Sequence, residues 1–342
     1  MPSGESLLSA EAPGTPTLRV GVDENGLGAR LGPLVVTAVL AHVSADGQRW
    51  VERRPRGKLA KDLDDSKRLV SHSNFALGEA WARALTGDRW ANPQALFEHL
   101  SLEGAASLRR ECPAHIEGQC WGLDGESFGA SASLLGRVSE HLDKLRGRGI
   151  DVRRVQVAIV CTRRLNQGRL QGKNRFVSDL HAMEGLLLGL REQSSGDLRA
   201  TCGKVGGMTE YDRFFGPLAG RLHTSLQVSR QRSAYYFPGL GELHFVQDAD
   251  ARDVLVMLAS LVGKYVRELL MARISRFYDS VEPTVSAGTP AALGVSGYHD
   301  ERTDAWVAAT APRRRVLRIV DDCFERARDV AARDVAARDV VA

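Results

Sequence analysis

The sequence predicts an α/β fold in which a mixed sheet is flanked by helices, with an insertion in its first half and a helical extension at its C-terminal end. Three observations predict it: β-branched runs alternate with apolar-faced helical stretches, a glycine-rich turn joins the first two runs, and Asp253–Ser275 begins apolar nearly all round. Taken in order, Leu18–Glu24 (LRVGVDE) sets Leu18, Val20 and Val22 on one face, and Pro33–Ala41 (PLVVTAVLA) is a second run, so the two read as paired strands. Ser71–Leu85 reads as a helix, while Thr86–Gly149 has no clear period and reads as an insertion. Val152–Cys161 is a strand, Ser178–Arg191 an apolar-faced helix, and Asp197–Val205 (DLRATCGKV) a further strand. In Asp253–Ser275 the small residues Ala259, Ser260 and Gly263 let a buried helix approach a sheet closely. The chain therefore divides into a tail over 1–17, a core over 18–272 with an insertion at about 86–149, a helical region over 273–326, and a tail over 327–342 that repeats ARDVA from Ala327 and Ala332.

With 342 residues and 43% hydrophobic content the chain can bury a core of its own. Lys and Arg number 46 against 42 Asp and Glu, and a net charge of +4 is too small to indicate a polyanion partner. The basic runs Arg53–Lys61, Arg163–Arg175 and Arg313–Arg315 are each either phosphate contacts or, more simply, solvated faces. Five scattered cysteines do not make the even framework of a small secreted domain and indicate a reducing, cytoplasmic compartment. Met1–Thr17 lacks the basic and apolar regions of a secretory signal, and no stretch approaches the roughly 20 apolar residues of a membrane span, so no membrane association is expected.

The segment most specific for chemistry is Gly21–Pro33 (GVDENGLGARLGP), with carboxylates Asp23 and Glu24 at a strand end followed by Gly26, Gly28 and Gly32. Carboxylates so placed hold a hard divalent cation such as Mg²⁺, and glycines let backbone N–H groups come close to a sugar-phosphate chain. On its own, an acidic pair at a turn is ordinary turn chemistry. Cys112, His115 and Cys120 (CPAHIEGQC) supply three of four zinc ligands, but no partner pair follows at a zinc-ribbon spacing. His181, beside Leu180 and Met183, reads as a packed histidine, and Trp50, Trp81, Trp90 and Trp121 as core or rim residues.

Three further segments accompany the glycine turn in order: Asp65–Leu69 (DSKRL), Asp248–Glu268 (DADARDVLVMLASLVGKYVRE) and Ser296–Trp306 (SGYHDERTDAW). Together the four resemble the ribonuclease H type 2 family, with its G-x-D-E-x-G-x-G start, D-S-K-x-L segment, A-S-x-x-A-K-x-x-R-D helix preceded by an acidic residue, and S-G-Y-P-x-D-x-x-T-x-x-W stretch. The resemblance implies a ribonuclease H-like mixed sheet and an endoribonuclease that hydrolyses the RNA strand of RNA–DNA hybrids, and ribonucleotides embedded in DNA. It implies that Asp23, Glu24 and Asp250 are catalytic carboxylates holding two Mg²⁺ or Mn²⁺ ions, which activate water and stabilise the leaving O3′. It implies also that the backbone of Gly26, Leu27 and Gly28 reads ribose 2′-hydroxyls, that Lys67 and Lys264 are phosphate-binding or site-supporting cations, and that Tyr298 packs on the sugar at the RNA/DNA junction.

The sequence departs from that pattern at three places. Leu27 stands where the family has Arg, His299 where it has Pro, and Thr201–Tyr211 (TCGKVGGMTEY) puts Gly203 where the third catalytic aspartate stands. Losing that carboxylate is expected to weaken the second metal and slow turnover, which leaves a catalytically impaired hybrid- or junction-binding paralogue as the alternative. Asp197, Glu210, Asp212 and Asp248 offer no clear route for a displaced carboxylate, and Cys202 is too soft a ligand for Mg²⁺.

Overall fold

The computed structural model describes residues 17–205, 208–279 and 295–328. Its strands are β1 (Thr17–Asn25), β2 (Leu34–Val43), β3 (Ile150–Val160), β4 (Leu198–Gly203), β5 (Thr224–Val228), β6 (Arg232–Phe237) and β7 (Gly241–Val246). They form a mixed sheet in the order β3-β2-β1-β4-β7-β6-β5. β1 is antiparallel to β2 and parallel to β4, and β4 is parallel to β7. This is the mixed, helix-flanked sheet the sequence predicts.

The longer helices are α1 (Ala76–Leu85), α2 (Pro93–Leu100), α3 (Ala132–Gly147), α4 (Thr162–Leu170), α5 (Arg175–Glu192), α6 (Val254–Asp279) and α7 (Glu301–Val316). Most of these starts have a local cause. Asn92 with Pro93 opens α2, Ser131 caps α3, Asn174 caps α5 and Asp300 caps α7, each side-chain oxygen accepting an N–H from the first turn. The carboxylate of Asp253 accepts from Leu255 and Val256 at the head of α6 and lies 3.5 Å from the buried Arg19 guanidinium.

Two cores sandwich the sheet. One lies between it and α1, α2, α3 and α6, around Trp81, Phe97, Val138, Leu258 and Tyr265; the other lies under α5, around Val20, Val22, Leu180, Met183, Cys202 and Tyr211. Gly21 fixes how closely α6 approaches: a Cβ there would fall 2.3 Å from the Leu255 carbonyl carbon and 2.4 Å from the Val256 nitrogen. A third cluster, with Leu31, Met271, Tyr278, Trp306 and Phe324, ties the C-terminal region to the glycine turn.

The structure corrects several boundaries. β1 begins at Thr17, and β4 stops at Gly203 instead of Val205. Ser71 and Asn74 bond to each other's backbone, so that turn closes on itself and α1 starts only at Ala76. α6 runs unbroken through 272, where the core was expected to end. Thr86–Gly149 contributes α2 and α3 to the core under α6, and sequence reading passed over the strands β5–β7 altogether. The expected tails, apart from Thr17, Ala327 and Arg328, lie outside the described residues. Among the described residues no helix is long and apolar enough to cross a membrane.

Candidate active site

Parallel pairing of β1 with β4 places Val22 opposite Cys202, so Asp23 and Glu24 leave β1 just where Gly203 ends β4. The two carboxylates fall on opposite faces by strand alternation. Asp23, only 8% exposed, points toward α6 and hydrogen bonds with Ser260, whose hydroxyl lies 2.8 Å from that of Ser66. Ser66 thereby links the Asp65–Leu69 segment to β1. Asp250 sits half-buried in the single 3-10 turn Ala249–Ala251 between β7 and α6, a turn entered through Asp248 in the left-handed conformation (φ 54°).

These acids share one field. Burial and then the neighbouring Glu24 hold the Asp23 carboxyl well above the usual carboxylate range. Burial and then Asp179 push Glu24 up to about 8, and Asp250 also adds to it. Asp250 is raised by burial, then by Asp65. At Lys67 burial works against the charge, but Asp65, Asp250, Asp23 and Glu24 outweigh it and raise the ammonium pKa. A set of hard oxygens unable to ionise together without a cation matches Mg²⁺ or Mn²⁺ in donor chemistry. Among the described residues, no three His, Cys, Asp or Glu side chains are already gathered around a point where an ion would sit. An ion bound here would therefore draw the carboxylates inward.

Gly203 faces both β1 carboxylates. A Cβ added to it would lie 3.6 Å from Asp23 Oδ1 and 3.7 Å from Glu24 Oε2, ordinary contact distances. Its φ is not positive, so a side chain there would meet no backbone strain, and its Cβ no clash. The four displaced-carboxylate candidates do not fill this gap: Asp197, Glu210, Asp212 and Asp248 are all exposed. Sequence reading missed Asp179. It is wholly buried on α5, neither of its oxygens has a hydrogen-bond partner, and burial followed by the charge of Asp23 raises its pKa well above the ordinary range. The signal was an acid in line with Met183 and Leu186 at helical spacing, in a stripe that is otherwise apolar.

The glycine turn and the Tyr298 segment form one block. Gly26 has φ +91°, and a Cβ there would fall 2.4 Å from Arg267 Nε. The buried Arg267 donates to the carbonyls of Ser296 (2.9 Å) and Leu31 (3.2 Å), and its guanidinium stacks 4.8 Å from the Tyr298 ring centroid. The Gly297 carbonyl accepts from Arg30 and Leu31 N–H at 2.8 and 2.9 Å. Arg326 donates to the carbonyls of Gly26 and Gly32, and Arg175 to those of Leu27 and Ala29. Leu27 packs its side chain against the core under α5, and Gly28 is exposed with nothing near its α-carbon. Lys264 is held by Glu268 at 2.5 Å and lies 5.7 Å from the Tyr298 ring, while Lys67 is exposed.

Other candidates resolve differently. Within the basic runs, Arg164 is tied to Glu103 and Glu111, Arg54 to Asp64, and Arg313 to the carbonyls of Phe277 and Tyr278, so these side chains serve internal contacts. His115 bonds the Arg318 carbonyl, Trp121 donates to the Cys112 sulfur, and Cys112 and Cys120 line an apolar cavity with Cys161 and Cys323. His181 bonds the Phe214 carbonyl at 3.0 Å, a packed role.

No protein-family model matches the chain, and no curated protein matches it. Three solved structures similar to it are all ribonucleases H. A Bst-RNase HIII in complex with Mn²⁺ is 12% identical with a TM-score of 0.44, over 98% of this chain and 74% of that one. The RNase HII of the PCNA:RNase HII complex from Archaeoglobus fulgidus is 16% identical with a TM-score of 0.37, over 93% and 99%. The ribonuclease H2 from Pyrococcus horikoshii OT3 is 12% identical with a TM-score of 0.38, over 95% and 100%.

Proposed function

We propose that the chain is a divergent ribonuclease H of type 2 that hydrolyses the RNA strand of RNA–DNA hybrids, and ribonucleotides within DNA, with Mg²⁺ or Mn²⁺. The observation that carries this reading is the shared field of Asp23, Glu24 and Asp250 around Lys67, at the end of β1, which pairs in parallel with β4 and continues directly into the glycine turn. Asp23, Glu24 and Asp250 would hold the ions, which supply a polarised water and stabilise the leaving oxygen. Ser260 favours the ionised form of Asp23, the form that binds a cation. Lys67 presents a positive charge to an approaching phosphate. Gly28, without a side chain, leaves the backbone open for a ribose 2′-hydroxyl, and Tyr298 offers a ring braced by Arg267 and Lys264 for a sugar.

Gly203 favours a second reading, a hybrid- or junction-binding protein with little turnover, because it brings no side chain to the gap before Asp23 and Glu24. Cleavage of a labelled RNA–DNA hybrid by wild type, Asp23→Asn and Asp250→Asn decides between them. The nuclease reading expects cutting by wild type and none by either folded variant. Tight hybrid binding without cutting at any Mg²⁺ or Mn²⁺ concentration supports the binding reading, and variants that cut as well as wild type defeat the site.

A further inference from the structure

We propose that Asp179, on helix α5, is a metal-holding carboxylate that takes over the charge Gly203 no longer brings. The inference rests on the metal-site reading above and deepens it, because it names the residue that lets such a site persist with its β4 position empty of a side chain.

Burying an acid is costly. A carboxyl enclosed in protein is ordinarily satisfied by donors, since leaving a buried polar group unpartnered costs free energy. Glu184, the other buried acid on α5, obeys this rule and accepts from the N–H groups of Leu218 at 2.7 Å and Gly216 at 3.1 Å. Asp179 is fully buried and has no such donor at either oxygen.

Its surroundings show where a partner would come from. α5 packs on β2, β3 and β4, and its apolar stripe shares a core with Val22 and Cys202, the register pair that immediately precedes Asp23 and Gly203. Glu24 falls on this same face by alternation, and Asp179 is the strongest charged influence on it. Asp23 is the charge that bears on Asp179. Both Asp179 oxygens lack a hydrogen-bond partner among the described residues. A cation between Asp179 and Glu24 would satisfy the Asp179 oxygens, and the ionised Asp179 would supply the negative charge missing at Gly203.

The test is Mn²⁺ binding to the full chain, followed by electron paramagnetic resonance, with metal-free thermal melts alongside. Asp179→Asn keeps the shape and removes the charge. It should weaken Mn²⁺ binding by on the order of 10–100-fold, a loss typical of groups that support metal sites, and leave the metal-free melting temperature equal or higher. Adding Gly203→Asp to Asp179→Asn should restore most of the affinity. Should the Asn variant not fold, Asp179→Leu, which continues the apolar stripe, serves in its place. Unchanged Mn²⁺ affinity in a folded Asp179 variant, with affinity lost in Asp250→Asn, overturns the proposal and leaves the site standing. Unchanged affinity in both overturns the site reading on which it rests.

Discussion

Replacing Glu24 by Gln tests the acid cluster without any substrate. In the metal-free protein, burial and Asp179 lift Glu24 from an ordinary 4.5 to about 8. A folded pKa above the unfolded one means that stability is fully present below pH 4.5 and is lost progressively as pH rises through 8. At about 1.36 kcal/mol for each pH unit of displacement, the ceiling of this loss is about 5 kcal/mol, and relaxation of the strand end brings the expected figure to about 2–5 kcal/mol. Glu24→Gln is neutral at every pH and escapes it. Urea unfolding of both proteins in a chelator at pH 5, 7 and 9 should therefore show near-equal stability at the lowest pH and a growing advantage for the variant above it. Adding Mn²⁺ at the highest pH should shrink or reverse that advantage, because wild type alone keeps the full ligand set. Parallel stability curves for the two proteins across this range, or Mn²⁺ stabilising both equally, would refute the shared-field argument.

Other outcomes follow from neighbouring contacts. Gly203→Asp meets no steric barrier, so in chelator it should melt a few °C lower through added like charge, and in Mn²⁺ it should bind the ion about tenfold more tightly and cleave faster. An equal metal affinity would defeat the assignment of Gly203. Arg267→Met removes the buried cation that ties the glycine turn to the Tyr298 segment and leaves Glu268 with one partner fewer, so urea unfolding should show a loss of about 3–5 kcal/mol. Tyr298→Ala should leave the melting temperature near wild type while reducing hybrid affinity by about 1–3 kcal/mol in fluorescence anisotropy, and affinity for a plain DNA duplex should change less. Hybrid affinity itself should fall linearly in log–log form with salt, as phosphate contacts release counterions.

Much of this arrangement was legible in the sequence because it depends on strict local rules. Alternation in Leu18–Glu24 pointed to β1 and its exit, and the small residues of Asp253–Ser275 pointed to the close helix, which Gly263 bears out, since a Cβ there would fall 2.7 Å from Asn25 Nδ2 and Thr37 Oγ1. The strands β5–β7 escaped notice for different physical reasons. β5 is exposed along its whole length and carries no burial pattern, while β6 and β7 mix Tyr and His into short runs. Thr86–Gly149 showed no period because its longest helix, α3, fully buries only Val138, His141 and Leu145 along 16 largely polar residues, yet Phe97, Trp121 and Val138 meet in one core. Asp179 was hidden by its own context, since an acid in a helix reads as solvent-facing until the fold shows its stripe against the sheet. Arg326 and Arg175, which hold the carbonyls of the glycine turn, come from segments too distant in sequence for spacing to connect them.

The most direct test of the central claim compares three substrates under one condition. Wild-type protein in Mn²⁺, and separately in Mg²⁺, is given an RNA–DNA hybrid, a DNA duplex with one embedded ribonucleotide, and an all-DNA duplex of the same sequence, and the product ends are identified. The account predicts cutting of the first two with 5′-phosphate and 3′-hydroxyl ends, and an intact third. Cutting of the all-DNA duplex at the rate of the hybrid, or products with cyclic phosphate ends, would contradict it.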